Sequence, residues 1–325
     1  MSGLLVEALS NYEILQPEVE FIRHNENKTY KITDKLSNKK YVTRIHRSSR
    51  DFSLDIFGEN KHNVDFLSGE INILKAISVS TEIPAQIPVK NRYGNYVTIL
   101  RDGTPVTLLT WINGNTIDKI ELTYEILFKL GKMIGRFHNF SKNFSEVSNL
   151  KRCSYDKIFL KKMSLKMIEG VELKVLSIEQ FKIIDKAINQ INYFMDELNY
   201  EKNLKVLVHC DLAKSNLIVT ENREVVPIDF GLSGYSSCYM DLGSLFSHFN
   251  DEKQQRCIIM GYKSVIHEPM QAKYIEAFMV FQIILFICTH IENAHKVHYF
   301  HNAINRWSKE FFIPFVNKKR IIFDF

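Results

Sequence analysis

The spacing of apolar residues changes period part-way along the chain, and that switch limits the folds open to it. Between Val19 and Arg47 the segments VEFIRH, TYKITD and KYVTRIHR alternate apolar and polar side chains, separated by the turn-forming NEN and KLSNKK. Alternation with period two puts every second side chain on one sheet face, so the three read as an antiparallel meander. From about His62 to Ser78 the repeat becomes three and four, with Val64, Leu67, Ile71, Leu74 and Ile77 on one helical stripe. Two more strand-like runs, QIPVKNRYGNYVTIL and TPVTLLTWI, surround the turn signals Tyr93-Gly94-Asn95 and Asp102-Gly103. Residues 1–111 therefore predict a five-stranded sheet with one helix.

After Asn113-Gly114-Asn115 the pattern is mainly helical. Ile126, Leu127, Leu130, Ile134 and Phe137 form a stripe between Thr123 and Phe140, a second helix is expected over Ile178 to Leu198, and everything past Met240 reads as helix. The most apolar stretch, Ala277 to Thr289, is too short to span a bilayer and is interrupted by Gln282, so it reads as a buried core helix. The expected fold is α+β and bilobal. A small N-terminal antiparallel sheet lobe with one helix (1–111) precedes a larger, mainly helical C-terminal lobe (112–325).

Composition removes several function classes. Hydrophobic residues at 45% and charged residues at 24% of 325 exclude wholesale disorder. The net charge of +5 comes from interspersed lysines without a basic tail, which argues against nucleic acid or a membrane surface as partner. Five scattered cysteines with no CxxC pair fit neither a zinc knuckle nor a disulfide framework. Together with an N-terminus lacking the basic start and apolar block of a secretory signal, they lead to an expected cytoplasmic location.

One stretch concentrates polar chemistry between two apolar runs: VLVHCDLAKSNLIV, residues 206–219. His209, Asp211 and Asn216 have the spacing HxDxxxxN, and thirteen residues further on Asp229 stands in IDFG. Phosphoryl transfer needs such a set, because its catalysis is mostly positioning and charge neutralisation. Asp211 would orient the attacking hydroxyl and accept its proton. Asn216 and Asp229 would supply hard oxygen ligands to magnesium on the nucleotide phosphates.

HCDLAKSN followed by PIDFG resembles the catalytic core of the aminoglycoside phosphotransferase and choline kinase family, small-molecule kinases with a protein-kinase-like fold. Upstream and downstream segments are similar too: LSGEINILKAIS to the family's glutamate-bearing helix, TLLTWINGN to its hinge, KLGKMIGRFHNFS to the helix after the hinge, and YMDLGSLF to the helix after the metal loop. The resemblance implies an ATP- and magnesium-dependent transfer to a small-molecule alcohol. Asp211 would be the catalytic aspartate, with Asn216 and Asp229 as metal ligands. Arg44 in YVTRIHR stands where a basic residue grips phosphates, usually a lysine, and Glu70 would pair with it. The backbone of Thr110, Trp111 and Ile112 would hydrogen-bond adenine. Two departures count against a protein kinase. The turn HNENKTY has no GxGxxG, leaving phosphates to Asn25, Asn27, Thr29 or backbone amides, and Ala213 replaces the lysine two residues past the catalytic aspartate.

Bland roles compete at several positions. His209 would brace its loop, Asp241 would cap the helix starting at Leu242, His138 would be a packing residue, and Cys210 a small filler. Arg44 could be an ordinary surface arginine beside Arg47 and Arg50. Lys214 could reach the transferred phosphate. The lysines from Lys151 to Lys166 suit a solvated helix face, and His248, His267, His290, His295, His298 and His301 suit surface or packing roles better than a metal.

Residues 232–325 carry 8 acidic and 10 basic side chains and many aromatics. A polycationic aminoglycoside wants a carboxylate-lined pocket. The expected acceptor is therefore a smaller or partly apolar alcohol, such as an amino alcohol, homoserine or a sugar, or a resistance target. A stress-type protein serine/threonine kinase and an inactive nucleotide-binding module are the alternatives. The apolar tail RIIFDF is expected to dock on the large lobe or on a partner.

Overall fold

The computed structural model describes residues 3–24, 27–46, 53–58, 64–80, 83–144, 150–198, 206–297 and 299–325. Asn25, Arg47, Arg50, His62 and His298, singled out above, lie outside the described residues. Two compact units divide the chain. One comprises Met1–Arg50 and Glu59–Gly114, the other Asp51–Gly58 and Asn115–Phe325.

The first unit contains α1 (Gly3–Ser10), β1 (Pro17–His24), β2 (Lys28–Asp34), β3 (Lys40–Ile45), α2 (Val64–Ser80), β4 (Val97–Ile99) and β5 (Pro105–Thr110). Its sheet is antiparallel throughout, in the order β1-β2-β3-β5-β4. Register sorts the two faces. Ile45 pairs with Val106 and Arg44 with Thr107, so the apolar and the polar sets point opposite ways. Ile32, Ile45 and Val106 pack with Leu5, Ala8 and Leu9 of α1, each fully buried aliphatic side chain contributing roughly 1.5–3 kcal/mol. The eight-residue α1 is an element beyond the single helix expected, since two turns are too short to establish a helical period.

The second unit contains β6 (Asn115–Thr116), α3 (Tyr124–Asn143), β7 (Cys153–Ser154), α4 (Lys157–Glu172), α5 (Ile178–Glu197), β8 (Val206–Val208), β9 (Leu217–Val219), β10 (Val225–Pro227), β11 (Gly234–Ser236), α6 (Tyr239–Phe246), α7 (Glu252–Lys263), α8 (Ala272–His290), α9 (Phe300–Trp307) and α10 (Ile313–Val316). Two small sheets, β10-β9-β6 and β7-β11-β8, bracket the polar stretch read from the sequence. Thr123 caps α3 by accepting the Ile126 N–H. Helices α3 and α7 cross backbone against backbone. A Cβ on Gly131 would meet the Ile258 carbonyl oxygen at 1.9 Å, and one on Gly261 the Phe128 carbonyl oxygen at 2.0 Å. That closeness sets His138 of α3 beside Tyr262 of α7.

Helix α8 is the centre of this unit. Its segment is long and apolar enough to cross a membrane, yet 83% of the qualifying window is buried within the protein, as a core helix requires. Two peripheral pieces dock on the unit. The strap Ser53–Gly58 inserts Ile56 and Phe57, with Phe57 in ring contact with Tyr155 and Phe159, and the Ser53 N–H donates to the Thr289 carbonyl. The C-terminal tail is held by Glu276, whose Oε1 accepts the Ile321 and Ile322 N–H groups, while Arg256 lies 4.2 Å from the ring centre of Phe323. RIIFDF thus docks on its own chain.

Candidate active site

The loop between β8 and β9 is pinned from beneath by one buried carboxylate. Asp241 Oδ2 accepts the His209 backbone N–H (2.9 Å) and His138 Nε2–H (2.9 Å), and Oδ1 accepts the Cys210 N–H (2.7 Å). Tyr262, whose hydroxyl burial keeps protonated by raising its pKa, donates to His138 Nδ1 at 2.9 Å. Asp241 is not the helix cap expected. Helix α6 begins at Tyr239, three residues earlier than expected, Cys238 occupies the cap position, and the carboxylate turns inward to the loop. His138 is fully buried with both ring nitrogens bonded, the satisfied packing residue foreseen.

His209 braces the loop sideways. Its Nε2–H donates to the Ile228 carbonyl (3.1 Å) and its Nδ1 accepts the Asp211 N–H (3.3 Å), which fixes the tautomer. Cys210 sits in the left-handed region at φ 65° and is buried, and desolvation raises its thiol pKa, so it is no nucleophile. Gln282, the polar break in α8, supports the same residue by donating Nε2–H to the Cys210 carbonyl at 3.2 Å.

Two of the predicted site residues, Asp211 and Asn216, bond here, and the backbone leading to the third, Asp229, is tied to them. Asn216 Nδ2 donates to Asp211 Oδ2 (2.7 Å) and to the Asp211 carbonyl (3.1 Å), and the Ile228 N–H donates to the Asn216 carbonyl (2.9 Å), drawing in the residue before Asp229. With its nitrogen committed twice, the Asn216 amide presents Oδ1 elsewhere, the atom a cation needs. Asp229 adopts φ 66°, ψ 66°, a conformation costing a non-glycine residue roughly 1–2 kcal/mol. Among the described residues no group of three or more His, Cys, Asp or Glu side chains could hold a metal. The donor set of one amide and one carboxylate instead suits magnesium, which takes few protein ligands beside phosphate oxygens and water.

Sequence reasoning missed the group that secures the segment after Asp229. Arg152 is buried, and its guanidinium donates from Nε to the Ser233 carbonyl (2.7 Å) and from Nη2 to the carbonyls of Phe230 (2.8 Å) and Gly231 (2.9 Å) and to Ser233 Oγ (3.0 Å). Tyr155 adds a bond to the Leu232 carbonyl. Lys214, by contrast, lies 4.6 Å from the ring centre of Phe249.

In the first unit, Arg44 and Glu70 form a buried ion pair, Nη1 to Oε1 at 2.7 Å. Arg44 is therefore no surface arginine. Removing either partner would strand a buried charge, which costs about 3–5 kcal/mol. In the expected hinge, the Thr110 N–H is used by the Ile87 carbonyl (2.9 Å), the Trp111 N–H by Lys40 (3.0 Å), and the Thr110 carbonyl by Gln86 (3.3 Å). The Trp111 carbonyl and the Ile112 N–H meet no partner among the described residues. Lys31 Nζ lies 5.1 Å from the ring centre of Trp111.

The sequence profile of the phosphotransferase enzyme family matches residues 18–263. No curated protein matches the sequence. Among solved structures, a microcompartment-associated aminopropanol kinase is similar at 19% identity, over 96% of this chain and 98% of that one, with a TM-score of 0.76. Amicoumacin kinase, solved with AMP-PNP, Ca2+ and amicoumacin, is similar at 16% identity over 98% and 94%, TM-score 0.72. The choline kinase of Streptococcus pneumoniae is similar at 14% over 97% and 98%, TM-score 0.65. At these identities the likeness is one of fold.

Proposed function

The chain belongs to the phosphotransferase enzyme family, and on that premise we propose that it moves the γ-phosphate of ATP to a hydroxyl of a small molecule with magnesium as cofactor. Asp211 accepts the hydroxyl proton as the acceptor oxygen bonds to the γ-phosphorus and the bond to the β-phosphate oxygen breaks, releasing ADP. Asn216 Oδ1 and Asp229 hold the metal, which when bound neutralises phosphate charge. Arg44, steadied by Glu70, grips phosphate oxygens, and the Trp111 carbonyl with the Ile112 N–H reads adenine.

The observation that carries this reading is the double hydrogen bond from Asn216 to Asp211. A base fixed by the amide that also offers an oxygen to the metal is what in-line transfer needs. Incubating the protein with labelled ATP, magnesium and a library of alcohols, beside protein acceptors and the enzyme alone, tests it. Transfer to a small alcohol is expected, and label confined to protein would overturn the small-molecule reading. Asp229→Ala should abolish the tightening of ATP binding by magnesium, measured by calorimetry. Persistence of that tightening would take Asp229 out of the metal site.

Arg152→Lys offers a subtler check. A lysine ammonium cannot span the four acceptors that the guanidinium fork reaches. The magnesium concentration for half-maximal rate is expected to rise about tenfold or more, the scale for lost outer contacts around a metal ligand, with affinity for metal-free ADP unchanged. An unaltered magnesium requirement would reduce Arg152 to a packing role.

A further inference from the structure

Helix α4 turns outward a face that is not polar throughout. Asp156 caps the helix by accepting the Phe159 N–H at 2.9 Å, and Phe159, Leu160, Met163, Met167 and Gly170 are buried beneath it. On the opposite side Ile158 is 71%, Leu165 58% and Ile168 43% exposed. Single exposed aliphatic side chains are ordinary. Here they recur on one stripe with two charged residues, in the order Ile158, Lys161, Leu165, Ile168 and Glu172. Steps of three and four place all five at the a and d positions of a heptad, the seam along which two helices pack.

The charges on that stripe are ordered. Lys157 pairs with Asp196, and Lys166 with Glu169 and Glu292. Lys161 and Glu172 are exposed and make no ion pair among the described residues. A positive end, an apolar middle and a negative end form a pattern that complements itself when reversed. With a second copy laid antiparallel about a two-fold axis passing between Lys166 and Met167, Leu165 of each copy meets Ile168 of the other, and Lys161 meets Glu172.

We infer that the outer face of α4 is an interface between two copies of this chain, built from an antiparallel pair of α4 helices. The contact is isologous, so each attractive pair occurs twice. A parallel pair would instead set Lys161 against Lys161 and Glu172 against Glu172. A lipid surface fits less well, because the stripe holds no Trp or Tyr and Glu172 would be repelled by anionic headgroups. The 16 residues of α4 rise about 24 Å, a seam smaller than a permanent dimer buries. The association is therefore reversible and belongs to micromolar concentrations.

Sedimentation velocity of the full chain over a range of concentrations at low ionic strength tests the interface. A reversible shift from the mass of one chain, 38.1 kDa, towards twice that value is expected. Lys161→Glu and Glu172→Lys should each weaken dimerisation about tenfold, since each turns two attractive pairs into two repulsive ones. The protein carrying both substitutions should recover the native constant. Leu165→Asp should remain monomeric throughout. All three positions are exposed, so an unchanged melting temperature shows that each variant is folded. A native chain that stays monomeric, or self-association that both single reversals leave unaltered, would overturn the interface. Weakened association that the double variant fails to restore would overturn the antiparallel pairing. Co-sedimentation with phosphatidylserine vesicles, lost in Lys161→Glu and strengthened in Glu172→Lys, would assign the face to a lipid surface instead.

Discussion

Asp211→Asn is expected to lower turnover by roughly two to four orders of magnitude, the scale for removing a positioned base, while nucleotide affinity stays within a few-fold of the native value. The separation follows from the hydrogen bonds. An asparagine can still present an oxygen to Asn216 Nδ2, which now donates to Asp211 Oδ2 at 2.7 Å, so the loop keeps its shape. What disappears is the group that takes the hydroxyl proton. Single-turnover kinetics with saturating ATP and acceptor, alongside calorimetric nucleotide binding, would read the two effects apart. A rate within tenfold of native would mean that Asp211 is not the base.

Asp241→Asn should damage both stability and rate, although this carboxylate touches no substrate. Three N–H donors converge on it, two at Oδ2 and one at Oδ1. In the better orientation an asparagine oxygen serves His209 and His138, but its NH2 then faces the Cys210 N–H with no acceptor between them. One unsatisfied buried donor costs about 1–3 kcal/mol, or roughly 2–12 °C in Tm for a unit of this size. Cys210 would also lose its hold on a left-handed conformation immediately before the base. Turnover measured well below the new Tm should fall more than tenfold. A loss that merely tracked the unfolded fraction would confine Asp241 to stability.

The strands and the polar loop between β8 and β9 were legible because their signals are local. Alternation in VEFIRH, TYKITD and KYVTRIHR fixes sheet faces within six to eight residues, and Asp211, Asn216 and Asp229 lie within one short span of sequence. The missed features depend on distant partners. Arg152 sat in a lysine-rich stretch that reads as a solvated face, yet its acceptors are some eighty residues downstream. Asp241, near a helix start, had the pattern of a cap, and nothing in the neighbouring sequence announces that two of its donors lie about thirty residues upstream and the third about a hundred. Gln282 looked like a flaw in an apolar run, whereas the fold uses it as a polar contact between that helix and the loop after β8.

The strap has a consequence for how the protein is made. Phe57 leaves the ribosome long before the rings that receive it, and Phe281, which packs on Tyr155 and Phe159, emerges more than two hundred residues later. At roughly 5–20 residues per second, Phe57 waits roughly five to twenty seconds for Tyr155 and Phe159, and the aromatic cluster is completed by Phe281 only later still. A fragment beginning at residue 115 would never receive Phe57, so cutting the gene at the boundary between the two units yields a helical half with an open wound in its core.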